Sequence, residues 1–316
     1  MNFIQTYLKE RENLRELLND ILQNNRTKAA KASRLYAMSH ADDEKAKHDP
    51  YLECKYLYKD PIGKYHGAKN SDRLYPKGFT LTNIAGILRT AVLDGEHYMD
   101  IQQAYLSFAS MAWDVKELRE YIESGNTIWN DITWSSPMHK PAYKIALYSI
   151  MFGSTNYEKE LIKNLKAIGS ESPKKDAERF LGLTVIKALI HARNARINAI
   201  RKGELEIKNW RTGQVIECDI RKPFSAISDK SIRSALAQEI QSIERWIMEC
   251  IFSGALARKD FTILSYEFDG LSYHVEEDAN HEEIKEWFRK TVQDAAEIIA
   301  DNLVVKLTFN KHEFAI

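Results

Sequence analysis

The sequence is poor in the residues that build special scaffolds. Its three cysteines, Cys54, Cys218 and Cys250, are odd in number and widely separated. That excludes a disulfide framework and the paired spacing that a zinc site or redox dithiol needs. Thirteen glycines and seven prolines in 316 residues exclude a collagen-like or low-complexity chain. No apolar run is long enough to span a bilayer, and the opening MNFIQTYLKERENLRELLND is charged and helix-periodic, unlike a signal peptide. A cytoplasmic location with no membrane partner is the expectation. Neither sign of charge is in excess, with 45 basic and 45 acidic residues, so any basic groove must be offset by acidic surface elsewhere.

What is present is the composition of a helix-rich globular protein, 44% hydrophobic and 28% charged, long enough for one large unit or two to three subdomains. Apolar spacing predicts a long first helix from Phe3 to about Asn24 and a second over Lys28 to His40. Residues Ala41 to Lys77, with Pro50, Pro61, Gly63, Gly67 and Pro76, read as an irregular connection with short strands. Around Asp100 a short strand turns into a helix. Helices follow over Val115 to Ser124, Pro141 to Phe152, Tyr157 to Ala167 and Ser172 to Lys202. Leu205 to Asp219 reads as a hairpin turning at Arg211, Thr212 and Gly213, and Lys230 to Phe252 as another long helix. FTILSYEFDGLSYHVEE is two alternating strands around Asp269-Gly270, which predicts a tight hairpin with positive φ at both turn residues and Asp269 exposed at its tip. A helix from His281 to Asn302 and a strand LVVKLTF complete the chain.

The order strand, aspartate and helix, then a helical block with spaced lysines, then a hairpin carrying a second aspartate, supplies the parts that nucleotidyl transfer needs. Two fixed carboxylates, Asp100 and Asp269, suit hard divalent ions that complete their shells with water and phosphate oxygens. Lys140, Lys144, Tyr148 and Phe152 recur at four-residue steps, so they share one helical face where two cations can meet a triphosphate and two aromatics the sugar and base. Taken one at a time, each feature has a plainer reading: Asp100 as a helix N-cap, Asp-Gly as a turn, the lysines as a solvated face and the aromatics as core. The combination in this order favours a site.

These segments resemble the family A polymerases, the group of bacterial DNA polymerase I. YMDIQQAYLSFASMAWD is similar to motif A, with RLYP at Arg73 to Pro76 and TNIAGILR at Thr82 to Arg89 leading into it; KPAYKIALYSIMFG resembles the nucleotide-binding helix; and SYEFDGLSYHV resembles motif C. The resemblance runs from about Arg73 to the end. It implies a helix-rich α+β fold of right-hand architecture: an N-terminal helical region over 1–72, thumb-like or partner-binding; an antiparallel-sheet palm over 73–125 and 229–316; and helical fingers over 126–228. It implies DNA-directed DNA synthesis from a primer, template and nucleoside triphosphates with two magnesium ions, or manganese in their place. No proofreading is expected, and an accessory replication protein or helicase is a conceivable partner.

By the same resemblance Asp100, Asp269 and the Ile101 carbonyl hold metal, and Lys144 binds phosphate and protonates pyrophosphate. Lys140 stands where the family has arginine, and Tyr105, Tyr148 and Phe152 meet the nucleotide, Tyr105 excluding a ribose 2′-hydroxyl. Arg89, Gly153 and Gln238 fall among nucleic-acid contacts. Two departures are plain: Phe268 replaces a histidine and Gly270 an acidic residue. Tyr148 and the Asp-Gly also resemble single-subunit RNA polymerases, leaving open a primase or RNA polymerase that starts chains de novo. A decayed, non-catalytic nucleic-acid-binding subunit is the reading from another class.

Overall fold

The computed structural model describes residues 3–11, 13–40, 49–68, 71–152, 154, 156–216, 218, 229–301 and 303–315. Ala41, Gly153, Asp219 and Asn302, named above, lie outside the described residues. The N-terminal third opens with helices α1 (Phe3–Glu10), α2 (Leu14–Asn24), α3 (Arg26–Ser39) and α4 (Pro50–Lys59), then the antiparallel hairpin β1 (Lys64–Ala68) and β2 (Ser71–Lys77), then α5 (Gly86–Val92). The single first helix expected from spacing is thus two. Asn13 adopts φ 63° between them, and the neighbouring Arg11 turns inward to donate to the Phe261 carbonyl at 2.9 Å and Thr262 Oγ1 at 3.0 Å. The connection expected before β1 contains α4, whose start is set by Asp49 capping the Tyr51 and Leu52 N–H groups with Pro50 at the first position.

The middle of the chain runs β3 (His97–Ile101), α6 (Ala104–Ala112), α7 (Lys116–Glu123), α8 (Ile128–Asp131), α9 (Lys140–Met151), α10 (Tyr157–Ala167), α11 (Pro173–Leu181) and α12 (Thr184–Lys202). The one long helix expected from Ser172 to Lys202 breaks at Gly182, whose α-carbon lies so close to the Glu178 and Arg179 carbonyls that a Cβ would come within 3.0 and 3.2 Å of them. Among the described residues, the hairpin expected after α12 is reduced to a single bridge, Lys208 with Val215. The chain then forms α13 (Asp229–Ala255), β4 (Phe261–Tyr266), β5 (Gly270–Val275), α14 (His281–Ile299) and β6 (Leu307–Lys311). The last strand lies later than LVVKLTF suggests, because Leu303 to Lys306 stay outside the ladder.

Four strands make one antiparallel sheet in the order β4-β5-β3-β6. Alternation along β3 sends Met99 and Ile101 to the α14 side, where Phe288 meets Tyr273 at 5.1 Å, and leaves Asp100 on the opposite face. Helix α13 is the central strut, packed against α1, α6, α14 and β2. It buries three glutamates, and each has a cationic partner, as buried charge requires: Glu239 with Arg196, Glu244 with Arg73, and Glu249 with Arg245. The fold is a helix-rich α+β arrangement with antiparallel sheets, and no described helix is long and apolar enough to cross a membrane.

Candidate active site

Asp100 and Asp269 arrive from neighbouring strands. Asp100 pairs in register with Gly270, and the Ile101 N–H donates to the Asp269 carbonyl at 2.9 Å. The hairpin closes through a Glu267 N–H to Gly270 carbonyl bond of 2.8 Å around Phe268 and Asp269. This corrects the expected turn by one residue. Phe268, at φ 69°, takes the left-handed conformation, and Gly270 begins β5. Glycine is needed there for space: a Cβ would lie 2.8 Å from the Met99 carbonyl oxygen and 3.1 Å from Asp100 Oδ1. Asp269 is accordingly half-buried at the base of a cleft rather than exposed at a tip.

The two carboxylates feel each other. Burial first, then the charge of Asp269, pushes the Asp100 pKa from 3.8 to about 7, with Lys144 opposing. Burial likewise raises that of Asp269, against the pull of Arg73 and Lys144. Two acids forced together out of water resist ionisation until a cation joins them. Among the described residues no group of three or more His, Cys, Asp or Glu forms a metal cluster. A paired-carboxylate oxygen site opening onto a cleft nonetheless fits magnesium, which draws its remaining ligands from water and phosphate.

Helix α9 forms the facing wall. The cleft, with a cavity volume of about 210 Å³, is lined by Asp100, Ile101, Tyr105, Lys140, Lys144, Tyr148 and Asp269, together with Gln103, Leu147 and Trp129. Both lysines are exposed. Lys140 Nζ lies 4.8 Å from the Trp129 ring centre, and Lys144 Nζ lies 5.7 Å from that of Tyr148. Tyr105 is 5% exposed and meets Tyr148 and Phe152 edge-on at 5.1 and 5.5 Å. Phe152 caps α9 and supports Tyr105 from outside the cleft lining; it borders a separate cavity with Ile145 and Ser234.

Besides Phe152, two further predicted residues do not line the cleft. Gln238 donates to Ser234, one turn back on its own helix. Arg89 is bound to the Thr82 carbonyl at 3.1 Å and to Glu267 at 3.3 Å, where it braces the strand before the turn. Conversely, Arg73, Glu244, Gln103 and Trp129 belong to the site or its support and were given no role from the sequence. Arg73 makes a two-pronged pair with Glu244 and lies 4.5 Å from the Phe268 ring centre and 5.1 Å from that of Tyr105. Burial raises the Glu244 pKa to about 7 against the opposing pull of Arg73. An acid amid the apolar stripe of LAQEIQSIERWIMECIF was the available signal.

Neither the protein-family models nor the curated protein sequences contain a match to this chain. Among solved structures it is similar to the polymerase domain of Pol1 from M. smegmatis, determined in complex with DNA primer-template and dNTP. The identity is 14% and the TM-score 0.56, over 96% of this chain and 67% of the other. At that identity the likeness speaks for the fold, and the chain has a DNA polymerase-like fold.

Proposed function

We propose that this chain performs template-directed nucleotidyl transfer, extending a DNA primer on a DNA template from deoxynucleoside triphosphates. The observation that carries the reading is the placement of Asp100 on β3 beside Asp269 in the turn that leads into the neighbouring antiparallel strand β5, both lining one cleft with Lys144. The polymerase-like fold supports it. In this reading the four-stranded sheet with α5 to α7, α13 and α14 is the palm, α8 to α12 are the fingers, and α1 to α4 are a thumb-like or partner-docking region.

Asp100, Asp269 and the Ile101 carbonyl would hold magnesium, which when bound would supply the positive charge that makes a primer 3′-hydroxyl more acidic and steadies the leaving oxygen. The chain's own residues do the rest. The 3′-hydroxyl gives its proton to solvent water and its oxygen forms a bond to the α-phosphorus as the bond to pyrophosphate breaks, while Lys144 holds the phosphates, gives a proton to the departing oxygen and regains one from solvent. Lys140, steadied on Trp129, is a point-charge grip on the outer phosphate. Tyr148 lies against the nucleotide, while Tyr105, fixed by rings on two sides, leaves no room for a ribose 2′-hydroxyl.

A second reading is chain initiation with ribonucleotides. It is favoured by Tyr148, which lines the cleft with Lys144 Nζ 5.7 Å from its ring centre and whose hydroxyl is a ready partner for a 2′-hydroxyl. A single assay tests both: one template with and without primer, deoxy- or ribonucleotides, and magnesium. Primer extension that disappears in Asp100→Asn and Asp269→Asn, with unchanged circular dichroism, supports the proposal; extension retained by both variants refutes it. Primer-template binding without any incorporation by the natural chain identifies a decayed subunit.

A further inference from the structure

We infer that Arg73 and Glu244 form a positioning pair for Asp269, holding the turn that carries it; the inference rests on the polymerase reading above. The pair joins β2 to the middle of α13. Arg73 Nε donates to Glu244 Oε1 at 2.8 Å, a second guanidinium nitrogen donates to Oε2, and the Glu244 side chain is fully buried. Two parallel bonds fix the plane of the guanidinium as well as its position.

That plane is spent on the turn. Phe268, immediately before Asp269, has φ 69°, a conformation that a bulky residue adopts only when its surroundings hold it there. The restraint comes from Arg73, 4.5 Å from its ring centre, with Tyr266 and Tyr75 at 5.8 and 6.0 Å. On the other side Arg73 meets Tyr105 at 5.1 Å. Its fork is occupied by Glu244 and its surroundings by two rings, so it acts through Phe268 on the next residue.

Gly270 makes such a device necessary. The approach of Met99 and Asp100 leaves no space for a side chain after Asp269, so neither a third carboxylate nor any packing group there can help orient it. Lys144 offers charge only from the exposed side, on a long flexible stem. Arg73 supplies the cation from the buried side, at a fixed position. The pair is a positioning element and touches no reacting atom.

The test uses the full chain without nucleotide or DNA. Mn²⁺ binding is followed by electron paramagnetic resonance, beside primer-template affinity and steady-state kinetics. The double variant Arg73→Met with Glu244→Leu exchanges the buried pair for apolar groups, a change that folds generally tolerate. The expected result is a cooperative melt, Mn²⁺ binding weakened about tenfold or more, kcat lowered about 100-fold, and unchanged primer-template affinity. Natural Mn²⁺ affinity and kcat in the double variant overturn the inference. So does lost primer-template affinity with intact Mn²⁺ binding, which makes Arg73 a nucleic-acid contact. Should the double variant not fold, Arg73→Lys keeps the charge without the fork; a folded Arg73→Lys chain with natural Mn²⁺ affinity and kcat is equally fatal. Failure of the polymerase reading looks different: the natural chain incorporates nothing, and Asp100→Asn binds Mn²⁺ as well as it does.

Discussion

Gly270 and Asp100 face each other across β5 and β3 so closely that a methyl group on Gly270 would come 3.1 Å from Asp100 Oδ1 and 2.8 Å from the Met99 carbonyl oxygen. The backbone oxygen cannot give way without moving the strand. Gly270→Ala is therefore expected to destabilise the fold by about 1–3 kcal/mol, read by urea unfolding, and to lower incorporation through displacement of Asp100. Gly270→Glu, which adds an acid, is expected to be worse rather than better.

The pH dependence of the metal-free chain follows from the acids. Asp100 moves from 3.8 to about 7 on folding. Between about pH 4 and 7 the folded chain thus binds more protons at this position than the unfolded one, and this contribution to stability falls as pH rises. Glu244, raised from 4.5 to about 7, acts with the same sign. Melting temperatures across this window are expected to fall more steeply in the natural chain than in Asp100→Asn. Added magnesium is expected to raise the melting temperature most above pH 7, where Asp100 ionises.

The two lysines are unequal. Lys144 faces both carboxylates, whereas Lys140 rests on Trp129 one turn farther back. Lys144→Ala is expected to lower kcat/KM for the nucleotide by about 100- to 1,000-fold, the usual loss when a charged stabiliser of a developing anion is removed. Lys140→Ala is expected to cost about tenfold, as for a charged hydrogen bond to substrate, and mainly in KM. Single-nucleotide incorporation kinetics separate the two.

Tyr105 governs sugar choice in the proposed reaction. Its ring is fixed by Tyr148 and Phe152, so Tyr105→Val opens space where a 2′-hydroxyl would sit. Ribonucleotide incorporation relative to deoxynucleotide is expected to rise by about tenfold or more, a difference of roughly 1.4 kcal/mol. Competition between the two nucleotides on one template measures it.

Much of the element pattern was legible along the chain. Strands β4 and β5 and helices α9, α10 and α13 stand within a few residues of where period puts them, because each is dictated by neighbours a few residues apart. The errors fell where distant groups intervened. Arg11 leaves the first helix for carbonyls near β4, and the turn shifts so that Gly270, rather than filling a turn position, can lie beneath β3.

The site divides in the same way. The local order of residues decided that Asp100 ends a strand, that Asp269 sits in a tight turn, and that Lys140, Lys144 and Tyr148 share a helical face, since strand and helix periods need no long-range information. Only the tertiary structure decided that Asp100 pairs with Gly270, which brings Asp269 beside it, that Gln238 is bonded to Ser234 and Arg89 to Glu267, and that Glu244 of α13 anchors Arg73 of β2. Those relations join residues up to 178 positions apart. They depend on how sheet and helices pack around a shared core, which no local period encodes.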